Sequence, residues 1–295
     1  MVLLFLIYII LLIRVDVCQP FYYILIKKEI KMIDKLGDRM KMYEQMEAGR
    51  KLMPGLPICI RVDGRAFHTF TRGMQRPYDT DMSNAMIETM KFLVEQSDAC
   101  IGYVQSDEIS LVLSDIKAPM FDGKIAKLNS VIASMATAKF NEVIHKSYPT
   151  KPLAFFDCRC WNVPSRTEAV NNILWREFDA TKNSISIAAR SVYSDAQLLG
   201  KNGSEKQDML IEKGINWNDY PVFFKRGTYA RRVVTTRKFT KEELDKLPEH
   251  HEARKNPDLL ITRSTIETID MPVFTKVINR VKVIFDGADP IIAEV

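Results

Sequence analysis

Apolar and polar positions divide the chain into short strand-like runs and longer helix-like segments. Ile58, Cys59, Ile60 and Val62 form a compact apolar run that stops at Asp63-Gly64, the pattern of a buried strand meeting a turn. From residue 99 to 113 an apolar run breaks at Gln105-Ser106-Asp107-Glu108 and resumes with alternating Ile109, Leu111 and Leu113, which predicts a tight hairpin with acids at its tip. A further strand is expected over 153–163. Helical patterning covers 33–48 with a stop at Gly49, then about 80–95, then 122 to about 145 with Ile125, Leu128, Val131, Ile132 and Met135 as its apolar stripe. Ser165-Arg-Thr-Glu168 reads as a capping box that starts a helix with Val170, Ile173, Leu174 and Phe178 inward. Ser204-Glu-Lys-Gln207 and Thr240-Lys-Glu-Glu243 cap shorter helices, and Val233-Val234, 259–262 and 281–285 read as strands.

The strand ends carry the candidate chemistry. A carboxylate closing a buried strand can hold a hard cation, because Mg²⁺ favours oxygen ligands. Two such strands bring Asp63 and Asp107 together around shared metal ions, an arrangement that serves two-metal phosphoryl or nucleotidyl transfer. Strand side chains alternate, so Asp107 and Glu108 should face opposite ways, which makes Asp107 the metal ligand and Glu108 the weaker candidate. Gly64 lets the backbone approach a ligand, and Arg65 and His68 add positive charge beyond it. An isolated Asp-Gly also suits a plain turn after a strand, and Asp79 or Thr80 taken alone suits a helix N-cap.

Arg61-Val-Asp-Gly-Arg-Ala-Phe-His68 together with Gln105-Ser-Asp-Glu108 resembles the tRNA-His guanylyltransferase family and its "-like" relatives. The resemblance runs from about residue 36 to 232. It implies an α/β (α+β) fold, with a polymerase-palm-like antiparallel sheet backed by helices and a small mixed C-terminal extension. It also implies addition of nucleotides to RNA 5′ ends in the 3′-to-5′ direction. Asp63, the Gly64 carbonyl and Asp107 would bind two Mg²⁺. One metal would activate the 3′-hydroxyl of the incoming nucleoside triphosphate and the other would hold the leaving group. Gly64, Arg65, Ala66, Phe67, His68, Ser106, Lys124 and Lys127 are then nucleotide or triphosphate ligands, with Arg76 and Asp79 near base or ribose. As exposed lysines, Lys124 and Lys127 also have a neutral reading, and His68 has one as a residue packed behind the strand end.

One segment departs from the pattern. Guanylyltransferases specific for histidine tRNA carry His-Ile-Asn-Asn where this chain has Thr181-Lys182-Asn183-Ser184. That difference points to the "-like" branch, associated with templated repair of 5′-truncated tRNA, GTP and ATP being among the nucleotides used. Lys182 and Asn183 are candidate RNA contacts. Trp217 suits either base stacking or packing. A homotetramer is expected from the same resemblance.

Composition adds less. The 295 residues carry 42 basic and 37 acidic side chains, a net charge of +5, which permits nucleic-acid binding without arguing for it. Between residues 225 and 255 ten Lys/Arg stand against five acids; this is either a solvated face or an RNA-backbone contact that includes Arg231 and Arg232. Five cysteines without Cys-x-x-Cys suggest a reduced, cytoplasmic protein. Cys158 and Cys160 should share one strand face, with nothing nearby to complete a zinc set. Residues 1–13 are wholly apolar, yet shorter than the ~20 residues a spanning helix needs. They lack the charged start and cleavage site of a secretory signal. Residues 1–31 are therefore expected to be a non-native start, a membrane anchor being the alternative. The catalytic domain is expected over 32–228, and a region for tRNA contact or subunit packing over 229–295. Two competing readings remain: a palm-type nucleotide cyclase that needs no RNA, and a non-catalytic tRNA-binding protein.

Overall fold

The structure, a computed structural model, describes residues 36–256 and 258–293. Residues 1–31, with their apolar run at 1–13, and the expected helix start at 33–35 lie outside the described residues. Helix α1 (Leu36–Ala48) ends beside Gly49 and falls in a different unit from residues 51–293. Its apolar Leu36, Met40 and Tyr43 are exposed.

In the second unit, six strands form one sheet: β1 (Ile58–Gly64), β2 (Ile101–Gln105), β3 (Glu108–Leu113), β4 (Phe156–Asn162), β5 (Thr228–Lys238) and β6 (Leu260–Ile269). Their order is β4-β1-β3-β2-β5-β6 and every pairing is antiparallel. The central strands read as nearly unbroken apolar runs because both of their faces are covered. On one face Ile58, Ile60, Val62, Ile109 and Leu111 pack against α2 (Thr80–Ser97) and α3 (Ile125–Ser147), through Met86, Met90, Leu93, Leu128, Ile132 and Phe140. On the other, Cys59, Ile101, Tyr103 and Val112 meet Val170, Ile173 and Ala180 of α4 (Arg166–Arg190), with Phe274, Val283 and Ile284 beside them. Cys158 and Cys160 share the first face, as strand alternation requires, and both are free thiols.

The helix starts follow side-chain caps. The Asp79 carboxylate accepts the Met82 amide at 2.9 Å and the Ser165 hydroxyl accepts the Glu168 amide at 3.2 Å, satisfying donors that the first turn leaves open. Three local expectations change. The cap expected at Ser204 is Asn202, whose side chain accepts the Glu205 amide at 3.0 Å ahead of the helix Gly203–Glu212. Residues 281–285 lie in a short helix, Arg280–Phe285, that buries Val283 and Ile284; five apolar residues fit a buried helical turn as well as a strand. On α4, Phe178 is exposed and Glu177 faces inward, because the Ile173, Glu177 and Ala180 row is the one that meets the sheet.

Candidate active site

Asp63 sits near the end of β1, and Asp107 occupies the two-residue connection between β2 and β3. The β1–β3 register places Asp63 opposite Glu108, and the Gly64 amide donates to the Asp107 carbonyl at 3.0 Å. Both acids therefore arrive at one end of the sheet. Ser106 takes φ 52°, the left-handed conformation that a two-residue hairpin turn demands and that glycine usually supplies. Ala66 also has positive φ, 54°, and it turns the chain from β1 into the one-turn helix Phe67–Phe70. Gly64 is required here: a Cβ would stand 2.2 Å from the Phe67 ring. That ring packs 5.1 Å from Phe70, 5.4 Å from Phe140 and 5.1 Å from Phe156, centroid to centroid. Strained turns and an aromatic wedge thus fix the two strand ends.

The acids open into a cleft of about 620 Å³. One wall is the 75–79 loop and the start of α2, with Gln75, Arg76, Tyr78, Asp79 and Ser83. Asp79 holds this wall: its carboxylate accepts the Gln75 amide at 3.2 Å and the Tyr148 hydroxyl at 2.5 Å, besides its capping bond. Burial pushes its carboxyl up, but the bonds from Tyr148, Met82, Gln75 and Asp81 outweigh that and hold it below the usual range. Tyr78 leans on Phe223, Phe224 and Tyr220, at centroid distances of 5.2, 5.1 and 6.0 Å. The C-terminal end of α4, with Ile187, Arg190 and Ser191, and Phe223 also line the cleft. Arg76 and Arg190 bring positive charge to the cleft, Arg190 also pairing with Asp195 at 3.1 Å, and His68 lines it with them.

Asp107 is the perturbed acid. Burial pushes its carboxyl up and the charge of Asp63 adds to this, while hydrogen bonds from its own amide and Ser106, and the charge of His68, pull part of the way back. Glu108 lines no part of the cleft. Its carboxylate is gripped by Arg176 of α4 with contacts of 2.5 and 2.8 Å. Asp63 and Asp107 bring two carboxylates to the cleft, and Gly64 lines it beside them. Among the described residues no third acid, His or Cys joins the pair in a metal-holding group.

The sequence-predicted residues divide into two groups. Asp63, Gly64, Ala66, Phe67, His68, Arg76, Asp79, Ser106 and Asp107 all line the cleft. Arg65, Lys124 and Lys127 do not. The Arg65 amide donates to the Phe155 carbonyl at 2.8 Å, Lys124 precedes α3, and the Lys127 ammonium lies 4.9 Å from the Phe121 ring centroid. Lys182 and Asn183 are exposed on α4. Arg231 donates to the Ala288 carbonyl at 2.6 Å and pairs with Asp289 at 3.0 Å, and Arg232 donates to the Ser264 hydroxyl at 2.8 Å. Sequence reasoning missed Gln75, Tyr78, Ser83, Arg190, Ser191 and Phe223. Arg190 and Ser191 reach the cleft only because α4 runs unbroken for 25 residues, and no Gly or Pro marks its end.

An antiparallel palm-like sheet that delivers two acids, one from β1 and one from the β2–β3 turn, to one cleft is an arrangement suited to phosphoryl or nucleotidyl transfer. The family described as Thg1, tRNAHis guanylyltransferase, matches residues 37–164. A solved bacterial tRNA(His) guanylyltransferase (Thg1)-like protein in complex with ATP is 37% identical, with a TM-score of 0.69, covering 85% of this chain and 98% of that one. A solved bacterial protein of the same description in complex with GTP is 36% identical, TM-score 0.64, covering 82% and 95%. The tRNA(His) guanylyltransferase of Saccharomyces cerevisiae is 28% identical over 208 residues, 64% of this chain and 87% of the yeast protein. The chain belongs to the Thg1 family.

Proposed function

We infer that this protein adds nucleotides to the 5′ end of tRNA in the 3′-to-5′ direction, as a Mg²⁺-dependent enzyme of templated 5′-end repair. The observation that carries the reading is the meeting of Asp63 and Asp107 on the floor of a cleft that also holds His68, Arg76 and Arg190. Two like charges brought together, one on a buried carboxyl, suit a hard divalent cation. Asp63, Asp107 and the Gly64 carbonyl would hold Mg²⁺, the rest of its shell coming from water and substrate phosphate. When bound, the cation supplies charge for the phosphoryl oxygens and lowers the pKa of the attacking hydroxyl.

The chain's own residues do the positioning. Arg76 and Arg190 offset triphosphate charge, His68 is a further phosphate ligand, and the Tyr78 and Phe223 side chains supply apolar wall for a base. The 3′-hydroxyl of the incoming triphosphate attacks the α-phosphorus of a 5′-triphosphate end and pyrophosphate leaves. A 5′-monophosphate end is first adenylylated with ATP, and AMP then leaves instead. Lys124, which precedes α3, and Lys127, in its first turn, are assigned to more distant phosphates of the RNA. Lys182 and Asn183 are assigned to RNA contact with Arg231 and Arg232.

Two features favour the repair branch over histidine-tRNA guanylylation. Identity is higher to the bacterial Thg1-like protein than to the yeast guanylyltransferase, 37% against 28%. In the divergent segment Ser184 is buried, accepting the Trp217 indole N–H at 3.2 Å and donating to the Lys225 carbonyl at 3.1 Å, so only Lys182 and Asn183 are turned outward. A homotetramer and a cytoplasmic location complete the proposal. No described helix is long and apolar enough to cross a membrane.

The test supplies the full chain with Mg²⁺, ATP, labelled nucleoside triphosphates and tRNA lacking its first 5′ nucleotide. Addition of the nucleotide complementary to the opposing acceptor base, lost in Asp63→Ala, is expected. Addition of G whatever base lies opposite would return the protein to the histidine-tRNA role. Turnover of free triphosphate with no RNA product would make it cyclase-like, and binding without either reaction a silent tRNA-binding protein.

A further inference from the structure

Outside the cleft, a cluster of charges, Arg61, Glu108, Arg176 and Asp179, lies at the end of β1 and β3. Glu108 stands directly across from Asp63 in the β1–β3 register and directly follows Asp107 in the chain. One carboxylate is therefore neighbour to both cleft acids. Arg176 of α4 takes it in a fork, Nε to Oε1 at 2.5 Å and Nη2 to Oε2 at 2.8 Å, with side chains only 12% and 16% exposed. The third guanidinium nitrogen, Nη1, donates to Asp179 at 2.9 Å, and the guanidinium lies 4.4 Å from the Trp175 ring centroid. Arg61, two residues before Asp63 on β1, brings its Nε to 3.9 Å from Glu108, and that nitrogen is buried without a hydrogen-bond partner.

We propose that Arg176, assisted by Arg61, is a positioning residue for the catalytic pair: by holding Glu108 it fixes the relative placement of Asp63 and Asp107. This rests on the metal-dependent reading of the cleft. Three physical points carry it. First, Arg61 and Arg176 balance Glu108 and Asp179 in charge, so Glu108 is engaged by arginine and the cation is left to Asp63, Asp107 and the Gly64 carbonyl. Second, without Arg176 the Glu108 charge would repel its cross-strand partner Asp63, the two sitting opposite on one face. Third, a two-point fork on a planar group fixes orientation as well as distance, which a lysine ammonium cannot do. The base of the fork is rigid, because α4 is anchored through buried Ala169, Val170, Ile173 and Ala180. Residues that orient ligand carboxylates without touching the metal commonly alter metal affinity or activity by about 10- to 100-fold.

The experiment measures Mn²⁺ binding by electron paramagnetic resonance on the full chain, alongside kcat and KM for nucleotide addition. The variants are Arg176→Lys, the milder Asp179→Asn, Glu108→Gln, and Asp63→Asn as the control that removes a ligand. Arg176→Lys is expected to stay folded, to bind Mn²⁺ about tenfold more weakly and to lower kcat about 10- to 100-fold with KM for the nucleotide within twofold. Asp179→Asn moves the same quantities less, and decides the matter alone if Arg176→Lys fails to fold. Wild-type Mn²⁺ affinity and kcat in the folded variants would overturn the proposal. So would a Glu108→Gln protein that loses Mn²⁺ as fully as Asp63→Asn while Arg176→Lys retains it, since Glu108 would then be a ligand itself. If wild type and Asp63→Asn bind Mn²⁺ alike, the metal reading of the cleft falls, and this inference falls with it.

Discussion

Replacing Tyr148 by Phe removes one hydroxyl and leaves the ring in place. That hydroxyl donates to Asp79 at 2.5 Å, and Asp79 also ties down the Gln75 amide and the first turn of α2. A hydrogen bond to a charged group contributes about 1.5–3 kcal/mol. Tyr148 is partly open to solvent, which places this bond at the lower end, about 1.5 kcal/mol. At roughly 2–4 °C per kcal/mol for a protein of this size, Tyr148→Phe should melt about 3–6 °C below wild type near neutral pH.

The pH dependence gives a second check on the same bond. Asp79 has its folded pKa held below the usual carboxylate range. Its contribution is therefore present above the unfolded value and lost as the pH falls through the folded one. Tyr148 is pushed the other way, to about 12, first by its bond to Asp79, so its share is present below its unfolded value of about 10 and is lost as the pH rises through about 12. The difference in melting temperature between wild type and Tyr148→Phe should stay level from about pH 5 to 9 and shrink in acid, as Asp79 protonates. Differential scanning calorimetry across that range measures it. Because the 75–79 loop is a wall of the cleft, KM for the nucleotide should rise with little change in kcat. Equal melting temperatures at neutral pH, or a gap that stays undiminished as Asp79 protonates, would refute the reasoning.

Two other substitutions test the frame around the site. Gly227 has φ 81° and an added Cβ would stand 2.5 Å from the Val104 carbonyl oxygen, so Gly227→Ala should cost about 3 kcal/mol or more, read as a large loss in urea midpoint. Glu177 is buried, with its carboxylate accepting the Tyr229 hydroxyl at 2.6 Å and the Phe274 amide at 2.9 Å. Burial pushes its folded pKa up against the pull of those bonds, so stability present below its unfolded pKa is lost as the pH rises through the raised folded one. Glu177→Gln keeps an oxygen for Phe274 and should flatten that decline, so melting temperatures compared at about pH 5 and 8 should fall less in the variant than in wild type.

How much of this was legible varied with how local the cause was. The strand from Ile58 and the hairpin from Ile101 announced themselves as apolar runs with acids at their ends, and the structure brings those ends to one cleft. The caps at Asp79 and Ser165 were equally local. What stayed hidden depended on distant partners. Asp79 bonds Tyr148 across 69 positions of sequence, and Glu108 bonds Arg176 across 68; no spacing rule reaches that far. Phe178, expected inward, gave its place to Glu177 for a related reason. An apolar stripe predicts the buried row of a helix, but a buried acid with two donors waiting for it can occupy that row instead.

Those long-range bonds converge on α4. Along this one helix, Arg176 backs the acid-bearing hairpin, Glu177 joins β5 to the segment at Phe274, Ser184 receives Trp217, and Arg190 reaches the cleft. Each of these positions is committed to a partner within the fold or to the cleft itself. Lys182 and Asn183 fall between them on the exposed side, where a substitution removes no packing. The segment in which this chain departs from the histidine-specific pattern thus combines a buried serine, constrained by Trp217 and Lys225, with two outward residues free to vary. Substitution at those two outward positions leaves the carboxylates, the cleft walls and the helix beneath them as they are, which is what the proposed RNA contact at Lys182 and Asn183 requires of a segment that varies.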